Sequence, residues 1–166
     1  MRITQDKLKE LFLYEPATGI FTRRVTTSPR SRAGAEITCK TAAGYIEAMI
    51  CGKVVLMHRM AFLYMTGALP PGQVDHINGI RSDNRWSNLR AVEQSTNMQN
   101  LRSATINNLS TGLLGAFKSG QSKRNPYKAM IRVDGKNKHL GRFPTAEMAH
   151  CAYVAAKREL HAGCTI

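Results

Sequence analysis

Acidic side chains are scarce in this chain. Its 166 residues hold 11 Asp and Glu against 24 Lys and Arg, a formal net charge of +13 with the histidines neutral. Such a field favours polyanionic partners, nucleic acid first and an anionic membrane second. Cysteine is also sparse: Cys39, Cys51, Cys151 and Cys164 form no CxxC pair and no tight Cys/His cluster. That excludes a disulfide framework and a structural zinc site, and suits reduced thiols in a cytosol. Long apolar runs are missing. The most apolar stretch, Val54 to Leu69, is interrupted by His58 and Arg59 and is too short to span a bilayer. The N-terminal MRITQDKLKEL puts charges where an export signal needs an apolar run. No membrane partner is therefore expected. Aromatic residues make up only 7% of the chain, and a polar linker with only one sparse aromatic sheet face argues against a base-stacking platform.

What remains is an ordinary apolar fraction, enough for one or two small domains. Residues 98–166 carry eleven Lys and Arg against three Asp and Glu, whereas residues 1–97 carry thirteen against eight. Both halves are basic, so the few carboxylates of the first, such as Asp75 and Asp83, need a reason. The pattern predicts a helix over Thr4–Tyr14, capped by Thr4, with Leu8, Leu11 and Phe12 on one face. A strand follows at Ile20–Val25, then a basic loop at Thr26–Gly34. Tyr45–Ile50 and Lys53–Met57 read as a hairpin about Cys51-Gly52. Met60–Met65 reads as a helix ending at Gly67. A compact unit then comprises a strand at Gln73–Ile77, a polar loop at Asn78–Asn88, a strand at Leu89–Val92 and a helix at Gln94–Leu101. Ser103–Thr111 is polar and without periodicity, a linker. Beyond it, strands at Leu114–Lys118, Tyr127–Val133 and Lys138–Phe143 precede a helix at Thr145–His161. The fold class is α+β.

One string stands out: Val74-Asp75-His76-Ile77-Asn78-Gly79, then Asp83-Asn84-Arg85, Asn88-Leu89-Arg90 and Asn97. Hydrolysis of a phosphodiester needs a base for water and a cation for the developing charge. A neutral histidine suits the first role near pH 7. An Asp carboxylate and an Asn carbonyl are hard oxygen ligands of the kind Mg²⁺ takes. Neighbouring strand residues point to opposite faces, so Asp75 and His76 share a site only where the strand ends or twists. Alone, Asn78-Gly79 is a turn and Asp83 and Asn84 are loop-forming residues, while His58, at the head of an apolar helix, either packs in the core, the preferred reading, or sits beside the phosphate.

The segment His58–Asn100, about a quarter of the chain, resembles the HNH homing endonucleases of phages and introns, in the subgroup whose motif reads H-N-N. Tyr14, Gly19, Gly44-Tyr45 and His58-Arg59 resemble the lead-in of phage members. The resemblance implies a ββα-metal (His-Me finger) core at about 73–101 within a nuclease domain 1–102. It implies His76 as general base, Asp75 and Asn97 as metal ligands, and Asn88 as the residue that holds the loop and orients His76. Asn97 stands where many members have His, which favours Mg²⁺ or Mn²⁺ over zinc or nickel. A phage-encoded protein in the cytosol of a bacterial host is expected.

After the linker 103–111, residues 112–163 resemble the Apetala-two or ethylene-response-factor DNA-binding domain. The carrying pieces are Gly115-Ala116-Phe117, Tyr127-Lys128-Ala129-x-Ile131, Leu140-Gly141-Arg142-Phe143-Pro144-Thr145 and Ala149-x-x-Ala152-Tyr153-x-x-Ala156. Tyr127 stands where Trp is usual, so no base preference carries over. A three-stranded sheet can lie in the major groove of double-stranded DNA. Ala129, Ile131 and Val133 form the core face, which turns Lys128, Met130 and Arg132 the other way. Lys118, Arg124, Lys128, Arg132, Lys138 and Arg142 are the candidate DNA contacts. The expectation is a targeted Mg²⁺-dependent endonuclease; a single motif per chain favours a monomer that nicks. Its rivals are a DNA-binding regulator with a degenerate nuclease fold and a basic coat protein for nucleic acid.

Overall fold

The computed structural model describes residues 3–93, 99–101, 104, 108, 110–120, 122–161 and 163–165. The chain divides into two compact units, Met1–Gln94 and Ser95–Ile166. Helix and sheet are mixed in each.

The first unit begins with helix α1, Gln5–Leu11, whose N-cap Thr4 accepts a hydrogen bond from the Lys7 amide at 3.3 Å. The helix is shorter than its sequence suggests. Phe12 turns extended and opens strand β1, Phe12–Glu15, which pairs antiparallel with β2, Ile20–Arg23. Phe12 and Tyr14 are buried while Leu13 and Glu15 are exposed, so period two replaces helical period where cross-strand pairing is available. Strands β3, Glu47–Ile50, and β4, Lys53–Leu56, form the expected hairpin. Cys51 and Gly52 both take positive φ, 49° and 75°, as a two-residue turn matching strand twist requires. Helix α2, Met57–Thr66, stops where Gly67 adopts the left-handed region and its amide bonds the Leu63 carbonyl at 3.0 Å.

The core of this unit packs Met57, Met60, Ala61, Phe62 and Leu63 of α2 against Leu8, Phe12, Tyr14, Phe21, Ile46, Ala48 and Ile50. Against it lies a further antiparallel pair, β5 (Gln73–His76) and β6 (Leu89–Val92), whose buried Val74 and Leu89 join the same core. The loop between them ends in a short 3₁₀ turn, Trp86–Asn88. The helix expected at Gln94–Leu101 lies mostly outside the described residues.

In the second unit β7 (Ala116–Lys118), β8 (Tyr127–Val133) and β9 (Lys136–Phe143) form one antiparallel sheet in that order. Helix α3, Ala146–Leu160, starts at Thr145, whose side chain accepts from the Met148 amide at 3.2 Å. Ala116, Ala129 and Ala149 are fully buried, and such small residues let helix and sheet approach closely. Gly115 serves the same contact: at φ 73°, a Cβ there would fall 2.0 Å from the Tyr153 ring. Asn108 and Thr111, on the stretch expected as linker, fold back on the start of β7. The Asn108 amide donates to the Leu113 and Ala116 carbonyls at 2.7 and 2.9 Å, and the Thr111 hydroxyl donates to Ala116 at 2.7 Å.

Candidate active site

Strand β5 ends at His76, and Gly79, at φ 75°, donates its amide to the His76 carbonyl at 2.8 Å. The strand thus ends on the second residue of the Asp-His pair. Both are buried, Asp75 with 6% and His76 with 4% of its surface exposed. Asp75 stands opposite Arg90 in the ladder, and the guanidinium grips its Oδ2 through Nε and Nη2 at 2.9 and 2.8 Å. A carboxylate has about four acceptor positions, and this clamp falls on one of its two oxygens.

His76 Nε2 lies 3.1 Å from Asn84 Oδ1. An amide oxygen only accepts, so Nε2 carries the hydrogen and the basic lone pair belongs to Nδ1. Burial lowers the pKa of the imidazole, while the Asn84 hydrogen bond and the Asp75 and Asp83 charges raise it. Burial prevails, which keeps the ring neutral. Asn84 itself is 2% exposed and is therefore more than a loop-forming residue. Its carbonyl accepts the Tyr14 hydroxyl at 2.7 Å. The backbone of Asn84 and Arg85 is approached so closely by Gly19 that a Cβ there would sit 2.4 Å away. The Trp86 amide bonds the Pro16 carbonyl at 2.9 Å. The β1–β2 turn is therefore a brace under the loop that holds the histidine.

Asn88 ties the loop from the other side. Its Oδ1 accepts the Asn78 amide at 2.9 Å and its Nδ2 donates to the Asp83 carbonyl at 2.8 Å. Asp83 takes Arg85 at 2.6 and 2.9 Å and Asn78 at 2.7 Å; led by the Arg85 bond, these hold its carboxyl down at about pKa 2. The outer wall is aromatic. The His58 ring lies 5.1 Å from His76 and 5.0 Å from Tyr45, which is 5.9 Å from His76. His58 is buried, its Nδ1 has no hydrogen-bond partner among the described residues, and burial above all lowers its pKa to about 3.

This neutral, buried His58 predicts acid lability. An unfolded chain takes up a proton on His58 below pH 6.5, and the fold refuses it down to about pH 3, so stability falls as pH drops through that window. Each such histidine steepens the dependence by up to about 1.4 kcal/mol per pH unit. Urea unfolding at pH 7 and pH 5 measures it. His58→Gln should flatten the slope, and an equal slope in that variant refutes the account.

Asn97 lies outside the described residues. Among those described, no three His, Cys, Asp or Glu side chains cluster as a metal cage. Mg²⁺ needs no such cage, since it commonly takes one or two protein carboxylates and fills its other positions with water and phosphate. The buried carboxylate of Asp75 beside a neutral imidazole fits that chemistry.

Of the basic candidates in the second unit, Lys128 and Arg132 share one sheet face by alternation, and Arg142 joins them opposite Lys128. Phe117 completes that row from β7, and His139 and Asn137, not singled out from the sequence, stand on the same face opposite Met130 and Arg132. Lys118 lines one cleft with Lys128 and Arg132. Lys138 stands opposite Ile131, on the helix side, and Arg124 lies in the turn before β8. Ala129 and Ile131 are buried, as expected of the core face.

Residues 55–99 match the family described as HNH endonuclease. A solved structure described as "DNA binding and cleavage by the HNH homing endonuclease I-HmuI" shares 20% identity, covering 92% of this chain and 88% of that one, with a TM-score of 0.41. The chain has no match among curated proteins. Among the described residues, no helix is long and apolar enough to cross a membrane.

Proposed function

We propose that this chain is a DNA endonuclease that hydrolyses phosphodiester bonds of double-stranded DNA at the end of β5. The observation that carries the reading is a buried His76, oriented by Asn84 and set next to a buried carboxylate, inside the segment that matches the HNH endonucleases. His76 Nδ1 takes a proton from water, the resulting hydroxide attacks phosphorus, and the P–O bond to the leaving sugar oxygen breaks, that oxygen taking a proton from solvent. Asn84 holds the ring in the reactive tautomer, and Asn88 keeps the loop closed around it. Asp75, and Asn97 on the strength of the motif spacing alone, would hold Mg²⁺ or Mn²⁺. That ion supplies neutralisation of charge at the phosphate and the leaving oxygen. Arg90 keeps the Asp75 carboxylate aimed. Incubating the full chain with plasmid, with and without Mg²⁺, tests the proposal. Nicked or linear product only with the metal supports it; a gel shift without cleavage means a binding protein instead.

The second unit would act as the targeting module, an Apetala-two-like sheet laid in the major groove, with the protein working as a monomer in a bacterial cytosol. Lys128, Arg132 and Arg142 on one face support this reading. Lys118 and Lys128 pair with no carboxylate among the described residues. Lys128→Ala should weaken binding across sequences and reduce the slope of log K against log salt by about 0.9, the release of one counterion. An unchanged slope removes Lys128 from the interface.

A further inference from the structure

Three arginines stand on the β5–β6 hairpin, and two of them are neutralised: Arg90 by Asp75 at 2.8 Å and Arg85 by Asp83 at 2.6 Å. Arg81 is held otherwise. Its Nη1 donates to the Ala43 carbonyl at 2.9 Å, and its guanidinium carbon lies 5.2 Å from the centroid of the Tyr45 ring. A peptide carbonyl and a ring face, both uncharged, orient it, and no carboxylate pairs with it among the described residues. A guanidinium has five N–H donors in a fixed fork, the geometry of bidentate phosphate recognition. One is spent on Ala43, and the side chain is exposed.

Its position is not that of a casual surface charge. Tyr45 is set by a turn in which its amide bonds the Thr41 hydroxyl at 3.1 Å, and its ring packs on both His58 and His76. Arg81 thus stands one aromatic ring away from His76. Asp83, the nearest acidic residue in sequence, is taken by Arg85.

We propose that Arg81, laid on Tyr45, is a catalytic residue that clamps the non-bridging oxygens of the phosphate being cut. The proposal rests on the phosphodiesterase reading of the site and adds to it the group that meets the negative charge growing on the phosphate. Donors preorganised for such charge act on the rate more than on affinity.

The test uses the full chain and a plasmid it cuts, with single-turnover rates at saturating DNA and DNA affinity measured separately. Arg81→Ala should slow cleavage by about 10²-fold with affinity within about threefold and the melting temperature unchanged. Arg81→Lys should recover only part of the rate, since lysine offers a point charge and no fork. Guanidinium ion in the buffer should raise the rate of Arg81→Ala and leave the parent enzyme unmoved. A rate equal to the parent's overturns the proposal. So does a loss confined to affinity with a shallower salt dependence, which would place Arg81 on a flanking phosphate. A parent protein that cuts nothing overturns the nuclease reading and the clamp together; a parent that cuts beside an equally active Arg81→Ala overturns the clamp alone.

Discussion

His76→Ala should bind DNA as the parent does and lose cleavage by roughly 10²–10⁴-fold, the range a positioned general base contributes. His76 carries the only imidazole on β5. Val74 is apolar, Arg90 occupies Oδ2 of Asp75, and His58 sits behind the His76 ring with its pKa pressed to about 3. The substitution also strips Asn84 Oδ1 of its partner in a buried place, which costs about 1–3 kcal/mol. Activity is therefore compared at a temperature where both proteins remain folded. Plasmid cleavage in Mg²⁺ buffer and a gel shift give the two readouts. Cleavage retained by the variant removes His76 as the base; cleavage partly restored by free imidazole strengthens it.

Gly19→Ala is expected to be the most damaging change outside the motif. At φ 78° an alanine costs about 1–2 kcal/mol in the left-handed region, and overpacking adds about 1–3. Its Cβ would meet backbone, the Asn84 carbonyl carbon and the Arg85 amide nitrogen at 2.4 Å, which cannot move aside as a side-chain tip can. The β1–β2 turn must lift off, and the Asn84 carbonyl and side chain lose their setting. We expect a loss of about 2–5 kcal/mol in urea unfolding, and a fall in cleavage that approaches 10²-fold if the His76 ring shifts by about an ångström. Gly52→Ala is the control. It has the same sign of φ, 75°, with nothing within 4 Å of the new methyl group, so it reads the backbone strain alone. Equal losses in the two variants would refute the brace.

The elements themselves were readable because their signals are local. Thr4 and Thr145 announce helix starts, Gly67 a helix end and Cys51-Gly52 a tight turn; each matches what the chain does there. A helical reading of Phe12–Tyr14 fails because the partner strand is separated in sequence, and cross-strand pairing with Ile20–Arg23 is invisible to a local period. The role of Asn84 is hidden from the sequence for a related reason. In sequence it is one more polar residue in a polar loop, and only the fold buries it against His76. The lead-in residues tell the same story from the other side. Tyr14, Gly19, Tyr45 and His58 are scattered over more than forty positions, and the first unit gathers all of them around the loop that follows β5.

By itself, then, the sequence determined the chemistry available: a basic chain, a histidine beside an aspartate at a strand end, and two units of mixed helix and sheet. Those follow from composition and short-range spacing, which act wherever the chain goes. Only the tertiary structure decided the state of each group. Burial kept His58 and His76 neutral, Asn84 chose the His76 tautomer, and two ion pairs spent Arg85 and Arg90 while Arg81 pairs with no carboxylate among the described residues. Desolvation and hydrogen bonding depend on which atoms come within a few ångströms, and that is set by packing across the chain rather than along it.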